Sequence, residues 1–206
     1  MRSGNMKYIA FVDVETTGTN PNIAEVIELG IVLGEYQENG IIRFVDEYCE
    51  LRQPSTPIPS MITRLTGIND TMVKGKQLDR ERILSIFRKA DAVVAHNATF
   101  DRGFMIRLFP DTIENDWYCS VRHIKWKSYG FENGKLQQLL RAHNIRVEKE
   151  HRAMDDAKNL ATLLSCSIPD HPSKDTYIDF LMRKNPLRKP NWIPFEFTES
   201  EKKYHA

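Results

Sequence analysis

The sequence predicts an α/β domain in which a mixed β-sheet is flanked by helices. Three apolar, strand-like segments follow one another near the N-terminus, and from about residue 60 helical patterns alternate with short strand patterns. Strands in succession, followed by strand–helix alternation, are typical of a mixed sheet covered by helices. The 206 residues are enough to enclose one well-buried core.

Three predicted strands fill the first fifty residues, at 7–15, 24–33 and 41–50. Their links, TTGTNPN and GEYQENG, carry turn residues, so an antiparallel meander is expected. The later alternation predicts helices at 60–65, 79–89, 100–109, 135–144 and 153–164, with short strands at 91–95 and 117–121.

The chain changes character after Ser167, where prolines at 169, 172, 186, 190 and 194 interrupt the pattern. We therefore expect one domain at 6–167 and a C-terminal extension at 168–206. Within the extension, the stretch 187–198 places aromatic residues between prolines. Such a stretch could dock on a partner protein, but we favour a tail that folds back on its own domain.

Composition restricts the function without naming it. Lys and Arg total 29 against 28 Asp and Glu, a formal net charge of +1. A nucleic-acid partner would therefore be held by local charge or by bound metal ions. No apolar run reaches the roughly 18 residues that a membrane span needs. The three cysteines are odd in number and lack metal-ligand spacing, which predicts a reducing, cytoplasmic location.

Asp13 and Glu15 end the first predicted strand, two positions apart. Side chains at i and i+2 share one face of a strand, so both carboxylates should point the same way while Val12 and Val14 face the other. Two like charges after an apolar run are costly unless a cation neutralises them, and Mg²⁺ and Mn²⁺ prefer carboxylate oxygens. Taken alone, the pair could also be two solvated acids at a strand end.

Asp101 lies where the strand at 91–95 passes into a helix. In open sheets, ligands collect at the carboxyl ends of strands, which makes this position a candidate for the same site. Taken alone, Asp101 could instead be an acid in the first turn of a helix, where the helix dipole favours a negative charge.

Helical phase separates Asp155 from Asp156. The apolar face of the helix at 153–164 consists of Ala153, Ala157, Leu160, Ala161 and Leu164. Asp156 lies at the edge of that face, and Asp155 lies nearly opposite it. We therefore expect Asp156 to point inward and Asp155 to be solvated. His151 lies just before this helix.

Inward carboxylates at three separated places, with one histidine, predict a single converging site. Acids without cysteine do not resemble a zinc site. They suit two hard divalent cations about 3.5–4 Å apart, the arrangement used for phosphoryl chemistry.

Three segments carry a resemblance to a known family. FVDVETTG, AHNATFDRGFM and HRAMDDAKNLATLL resemble, in order, the three motifs of the DEDDh (DnaQ-like) 3′→5′ exonucleases, the group similar to the proofreading ε subunit of bacterial DNA polymerase III and to exonuclease X. The resemblance runs from about Tyr8 to Leu164. It implies an RNase H-like fold with a five-stranded mixed sheet flanked by helices.

The resemblance implies roles for the residues that match its motifs. Asp13, Glu15, Asp101 and Asp156 would hold two divalent cations, Mg²⁺ or Mn²⁺, and His151 would be the general base. The family pattern thus selects Asp156 over Asp155, as the helical face does.

The same resemblance implies contacts to the terminal nucleotide. The segment 62–68 is similar to the family's nucleotide-wedging segment, with Thr66 where some relatives carry a histidine. The implied substrate-binding residues are Val14, Thr16, Thr17, Leu65, Thr66, His96, Asn97 and Phe100.

The implied activity is stepwise hydrolysis of single-stranded DNA from the 3′ end, releasing 5′-mononucleotides. A 3′ exoribonuclease would use the same chemistry, because the 2′-OH is sensed by local geometry. A third possibility is a proofreading or repair subunit that acts mainly by docking to a polymerase through the extension. A paired-carboxylate glycosidase is disfavoured, since it would not need four inward acids.

Overall fold

The computed structural model describes residues 7–37, 40, 42–147, 151–169 and 175–191. Five strands form one mixed sheet in the order β3-β2-β1-β4-β5, with bounds β1 Tyr8–Thr16, β2 Val26–Tyr36, β3 Ile42–Leu51, β4 Ala92–Ala95 and β5 Trp117–Cys119. Strand β1 pairs antiparallel with β2 and parallel with β4. The predicted mixed sheet and its antiparallel meander are therefore confirmed.

Eight α-helices surround the sheet in the described part of the chain. They are α1 Ser60–Thr66, α2 Asp70–Val73, α3 Arg80–Lys89, α4 Ala98–Leu108, α5 Ser120–His123, α6 Leu136–Ala142, α7 Ala153–Leu164 and α8 Tyr177–Met182. Short 3₁₀ turns cover Pro110–Glu114 and Trp126–Tyr129. None of the helices described here combines the length and the apolar composition that crossing a bilayer requires.

Alternation along β1 divides the core into two layers. Ala10, Val12 and Val14 point into the layer that α3 and α4 cover. Ile9 and Phe11 point into the layer that α7 covers. Because Asp13 and Glu15 continue the second set, β1 delivers them towards α7.

Strand β1 continues beyond the end of its parallel neighbour. Phe11 is the last residue of β1 that pairs with β4, where its partner is Val94. Strand β1 itself runs on to Thr16. Helix α4 begins at Ala98, two residues before the predicted start, and so lies beside this projecting end. The acidic end of β1 is therefore placed at the carboxyl edge of the sheet.

Helix α7 lies directly on the sheet because β2 has no side chain where they cross. A Cβ added to Gly30 would lie 2.3 Å from the carbonyl carbon of Ala153 and 2.4 Å from the amide nitrogen of Met154. The predicted apolar face of α7 is buried throughout. Gly30 thus fixes how closely the start of α7 approaches the sheet.

The described part of the C-terminal extension packs on the domain. Tyr177, Ile178 and Leu181 of α8 are fully buried, and the Tyr177 ring lies 4.7 Å from the ring of Trp126. Farther on, the Leu187 amide donates to the carbonyl of Trp117 on the edge strand β5. Residues 192–198, including the predicted docking aromatics, lie outside the described residues.

Candidate active site

Two acids from different elements meet at the projecting end of β1. The amide of Val14, between Asp13 and Glu15, donates a hydrogen bond of 3.3 Å to Oδ1 of Asp101. Asp101 belongs to the first turn of α4 and is 3% exposed. This bond requires the second predicted acidic position to lie beside the first, although 87 residues separate them in sequence.

Helix α7 brings the third acidic position to the same place. Ligand atoms of Glu15, His151 and Asp156 all lie within 4.8 Å of one another. Asp156 is buried, and it accepts a hydrogen bond of 3.0 Å from Nε2 of Gln137 on α6. Asp155, next to it, is less buried than Asp156 but is half-buried, not fully solvated as the helical phase predicts.

His151 is held beside Asp156 through its backbone. Its φ of 58° lies in the left-handed region, which is uncommon for a residue with a side chain. In this conformation the His151 amide hydrogen-bonds the Asp156 carboxylate. Backbone strain of this kind persists only where surrounding contacts require it, and such sites are often functional.

Burial raises the pKa of every acid in the cluster, and repulsion from the other acids raises it further for Asp13 and Glu15. Burial is the largest cause in each case, and it raises the pKa of Glu15 to about 8, of Asp101 to about 7 and of Asp156 to about 6. For Asp13, burial followed by repulsion from Asp101, Asp156 and Glu15 holds the pKa well above its usual range. The four carboxylates cannot all carry charge near neutral pH without cations.

The donor set of this cluster fits hard divalent cations. Four carboxylates and one imidazole offer oxygen-rich ligands of the kind that Mg²⁺ and Mn²⁺ prefer. In addition, Oε1 of Gln137 is a buried side-chain oxygen without a hydrogen-bond partner in the described chain. An orphaned acceptor beside Asp156 is consistent with a site that is completed by water or an ion.

The predicted substrate residues at the end of β1 and on α1 differ in how they use their polar groups. The Thr16 hydroxyl donates to the Gly18 carbonyl at 2.6 Å, and Oγ1 of Thr17 accepts from the amide of Glu25 at 2.9 Å. Leu65 is 52% exposed, whereas Thr66 is buried and uses its hydroxyl within the end of α1. Of these two predicted contacts on α1, Leu65 is therefore the one whose side chain is open to a ligand.

The predicted residues that follow β4 differ in exposure. His96 is largely buried, with Nδ1 2.8 Å from the Ser120 hydroxyl and Nε2 2.6 Å from the Gly134 carbonyl, and burial lowers its pKa to about 4. Its ring therefore joins β4 to the segments after β5. Asn97 is exposed, and the half-buried Phe100 packs edge-on against Phe104.

Sequence reasoning missed three residues that contact the site. Gln137 and Arg152 carry no motif of their own, and Glu28 reads as one acid in an apolar strand. In the structure Glu28 is 1% exposed and lies opposite Glu15 in the β1–β2 register. An acid inside an apolar strand could have indicated a contact of this kind, because a buried carboxylate needs a charged or hydrogen-bonding partner.

A second feature of the described surface is a groove of about 960 Å³. Its lining includes Arg52, Lys76, Asp79, Arg80 and Phe109. None of the predicted cation ligands lines it, and its charges of both signs offset one another. The chemistry is therefore assigned to the acidic cluster.

Comparison with known proteins gives the family. A family model described as "Exonuclease", of the RNase T type, matches residues 10–164. The DNA polymerase III PolC-type of Caldanaerobacter subterraneus subsp. tengcongensis is 32% identical over 162 residues, which cover 76% of this chain and 11% of that protein. The PolC-type polymerase of Listeria monocytogenes is 34% identical over 158 residues, covering 73% and 10%. The chain thus spans about a tenth of the length of these relatives.

Solved structures share the fold at low sequence identity. A complex of E. coli exonuclease I with single-stranded DNA in a zinc-bound form matches with a TM-score of 0.67 and 16% identity over 82% of this chain and 42% of that chain. Exonuclease X with 5′-overhanging duplex DNA gives 0.60 and 23% over 76% and 89%. A 3′-exonuclease that recognises a histone mRNA stem-loop gives 0.60 and 19% over 79% and 82%. The RNase H-like fold expected from the sequence is therefore confirmed.

Proposed function

Since its residues 10–164 match that model, the chain belongs to the exonuclease family, and on this premise we propose that it is a metal-dependent 3′→5′ exonuclease that hydrolyses single-stranded DNA ends to 5′-mononucleotides. The observation that carries the proposal is the convergence of β1, α4 and α7. It joins the carboxylates of Asp13, Glu15, Asp101 and Asp156 with the imidazole of His151.

Asp13, Glu15, Asp101 and Asp156 would hold two divalent cations, Mg²⁺ or Mn²⁺. When bound, such cations activate a water and stabilise the charge that develops on the phosphate and the leaving oxygen. The carboxylates supply the negative charge that keeps the cations in place. Their own repulsion, visible in the raised pKa values, is relieved by that binding.

His151 would accept the proton of the attacking water. An imidazole ordinarily exchanges a proton near neutral pH, and this ring lies within 4.8 Å of the Glu15 and Asp156 oxygens. The left-handed backbone at His151 and its amide bond to Asp156 hold the ring at the edge of the cluster. This backbone contact supports the proposal that His151 acts as a base beside the acids.

Exposed apolar side chains near the cluster would receive the terminal nucleotide. Leu65 is half exposed, and the half-buried Phe100 could pack on a base or sugar. Val14, Thr16, Thr17, Thr66, His96 and Asn97 stay predicted contacts. Because the polar atoms of Thr66 and His96 already have partners, we propose that these two shape the pocket and leave hydrogen bonding to other groups.

Single-stranded DNA is the favoured substrate, and RNA is the alternative. The relatives are DNA polymerases, and two of the structural neighbours are complexes with DNA. The neighbour that recognises a histone mRNA stem-loop has the same fold and supports the exoribonuclease reading. A terminal nucleotide must leave a duplex before it enters a buried site, so unpaired ends are expected to be cleaved first.

Matched DNA and RNA oligonucleotides of one sequence, labelled at the 5′ end, test the proposal. With Mn²⁺ we expect a descending ladder from the DNA, at least about tenfold faster than from the RNA, and no cleavage with EDTA. A 3′-phosphorothioate end or a circular strand should resist degradation. Internal cuts in the circle, or an intact linear strand at high Mn²⁺ with folded protein, would contradict an exonuclease; faster RNA cleavage would reverse only the substrate.

The domain limits and the partner also remain proposals. We place the exonuclease domain at 6–167 and the extension at 168–206, and we propose a polymerase or repair protein as a possible partner of the extension. The relatives carry this type of domain within a DNA polymerase, which supports such an association. A cytoplasmic location, expected from the cysteines, agrees with a role in replication or repair.

Stability of the metal-free protein should fall as pH rises, and cations should restore it. The acids have raised pKa values when folded, so the folded state holds protons more tightly than the unfolded chain. Their protonated form stabilises the fold fully below about pH 4, and that contribution is lost as the pH passes through about 6 to 8. We expect Mn²⁺ at roughly a hundredfold above its Kd to raise the unfolding midpoint by about 5–10 °C at pH 8.

At pH 5 the same Mn²⁺ should raise the midpoint by less than about 2 °C, because protons occupy the carboxylates. Differential scanning fluorimetry with EDTA, and with NaCl at equal ionic strength, measures the effect and controls for screening. An equal increase at both pH values would show that the cation binds elsewhere.

A further inference from the structure

Glu28 on β2 makes four short contacts to the residues that open α7. Nε of Arg152 lies 3.1 Å from each carboxylate oxygen of Glu28, and Nη2 lies 2.5 Å from Oε1. The amide of Ala153, the first residue of α7, donates to Oε2 at 2.9 Å. One carboxylate thus binds a guanidinium in a forked geometry and also satisfies a free amide at a helix start.

This contact lies where the position of α7 matters most. Arg152 and Ala153 directly follow His151 and precede Asp156 by one turn, so a displacement of the helix start would move both groups. Gly30, on the same strand, lets the α7 backbone approach closely but provides no attractive contact. Glu28 supplies the directional bonds that Gly30 cannot.

Glu28 also lies next to the acidic cluster. It is the direct cross-strand partner of Glu15, a pairing that brings Cβ atoms to within about 5.5 Å. The Arg152 guanidinium is therefore near enough to Glu15 to pair with it if Glu28 did not hold it. Such a pair would place a positive charge where a cation has to bind.

We propose that Glu28 is a positioning residue that fixes the start of α7 to β2 and keeps the Arg152 guanidinium out of the carboxylate cluster. The proposal rests on the proposed function, since it concerns how His151 and Asp156 are held at that site. It assigns to β2, which carries none of the predicted site residues, a part in cation binding and in the rate of cleavage.

Glu28→Gln is the direct test. The glutamine can still accept from the Ala153 amide, but its NH₂ group faces the donors of Arg152 and frees the guanidinium. We expect kcat to fall about 10–100-fold with little change in the KM for oligonucleotide, and the Kd for Mn²⁺, measured by calorimetry, to rise by about tenfold.

The double variant Glu28→Gln/Arg152→Gln distinguishes a positioning role of Glu28 from a role in stability alone. Two amides can pair with each other, and no guanidinium remains to enter the cluster. We expect this double variant to bind Mn²⁺ more tightly than Glu28→Gln does, and to recover at least about threefold in kcat. If the two substitutions instead lowered kcat and Mn²⁺ affinity additively, Glu28 would not be keeping the Arg152 guanidinium out of the cluster.

Glu47→Gln is the matched control. It removes another ion pair between the sheet and α7, Lys158 to Glu47 at 2.7 Å, but farther along the helix. We expect a smaller change in the unfolding midpoint, because this pair is solvent-exposed, with kcat and Mn²⁺ affinity unchanged. Wild-type kcat and affinity in Glu28→Gln would refute the proposal while leaving the exonuclease function intact, whereas an inactive wild-type protein would refute that function first.

Discussion

Asp156→Asn is expected to lower cleavage of a single-stranded oligonucleotide at least about a thousandfold, which corresponds to roughly 4 kcal/mol in the activation barrier. The change keeps the size of the side chain and its bond to Gln137 but removes the charge that a cation would balance. It also weakens the charge contact between this carboxylate and His151. Initial rates with saturating Mn²⁺ measure the loss.

The neighbouring Asp155→Asn is the control for this result. Asp155 carries the same charge, one position away, but it is less buried than Asp156 and is not one of the predicted cation ligands. We expect its rate to stay within about threefold of wild type, with a similar far-UV circular dichroism spectrum for both variants. If Asp155→Asn were the inactive variant, the helical phase that places Asp156 in the site would be wrong.

The fold was predictable because periodicity determines which face of each element is buried. In β1 the alternation of Val12 and Val14 with Asp13 and Glu15 requires two faces with different surroundings, and the structure has them. In α7 a spacing of three and four residues places the apolar side chains on the sheet. These are local patterns, so they can be recognised without knowledge of what covers them.

Element ends were less predictable because tertiary contacts set them. Helix α2 at Asp70–Val73 was missed, since four residues carry too little periodicity, and it depends on Asn69, whose side chain accepts from the Met72 amide. The predicted strand after Trp117 ends at Cys119, because the Val121 amide bonds the carbonyl of His96 and the chain turns into α5.

The candidate site was predictable only where its residues fall in motifs. Glu28 contacts Arg152 across 124 positions, and no local pattern pairs them. Gln137 has no sequence signal at all, because its contact to Asp156 depends on how α6 packs against α7. Sequence reasoning therefore identified the groups that would do chemistry and missed those that hold them.

Asp13→Asn should remove activity and, without metal, stabilise the fold. The Asp13 carboxylate would belong to the cation site, so we expect at least about a thousandfold loss of cleavage. Its pKa is raised by burial and by four neighbouring acids, so its charge opposes folding at pH 8 when no cation is present. In EDTA at pH 8 we expect the unfolding midpoint to rise by about 3–6 °C, and at pH 5 by less, because a raised pKa makes the charged carboxylate scarcer as the pH falls.

Asp91→Asn makes the comparison decisive, because it is the same chemical change at the opposite end of β1. The Asp91 carboxylate accepts from the amides of Lys7 and Tyr8, each at 2.9 Å, and so favours the fold. Its loss should lower the midpoint while cleavage stays at the wild-type rate. The two variants should change the unfolding midpoint in opposite directions only if Asp13 lies in a crowded acidic site. In such a site, bound cations relieve the repulsion between the carboxylates. A lowered midpoint for Asp13→Asn in EDTA at pH 8 would mean that this carboxylate has a structural partner instead.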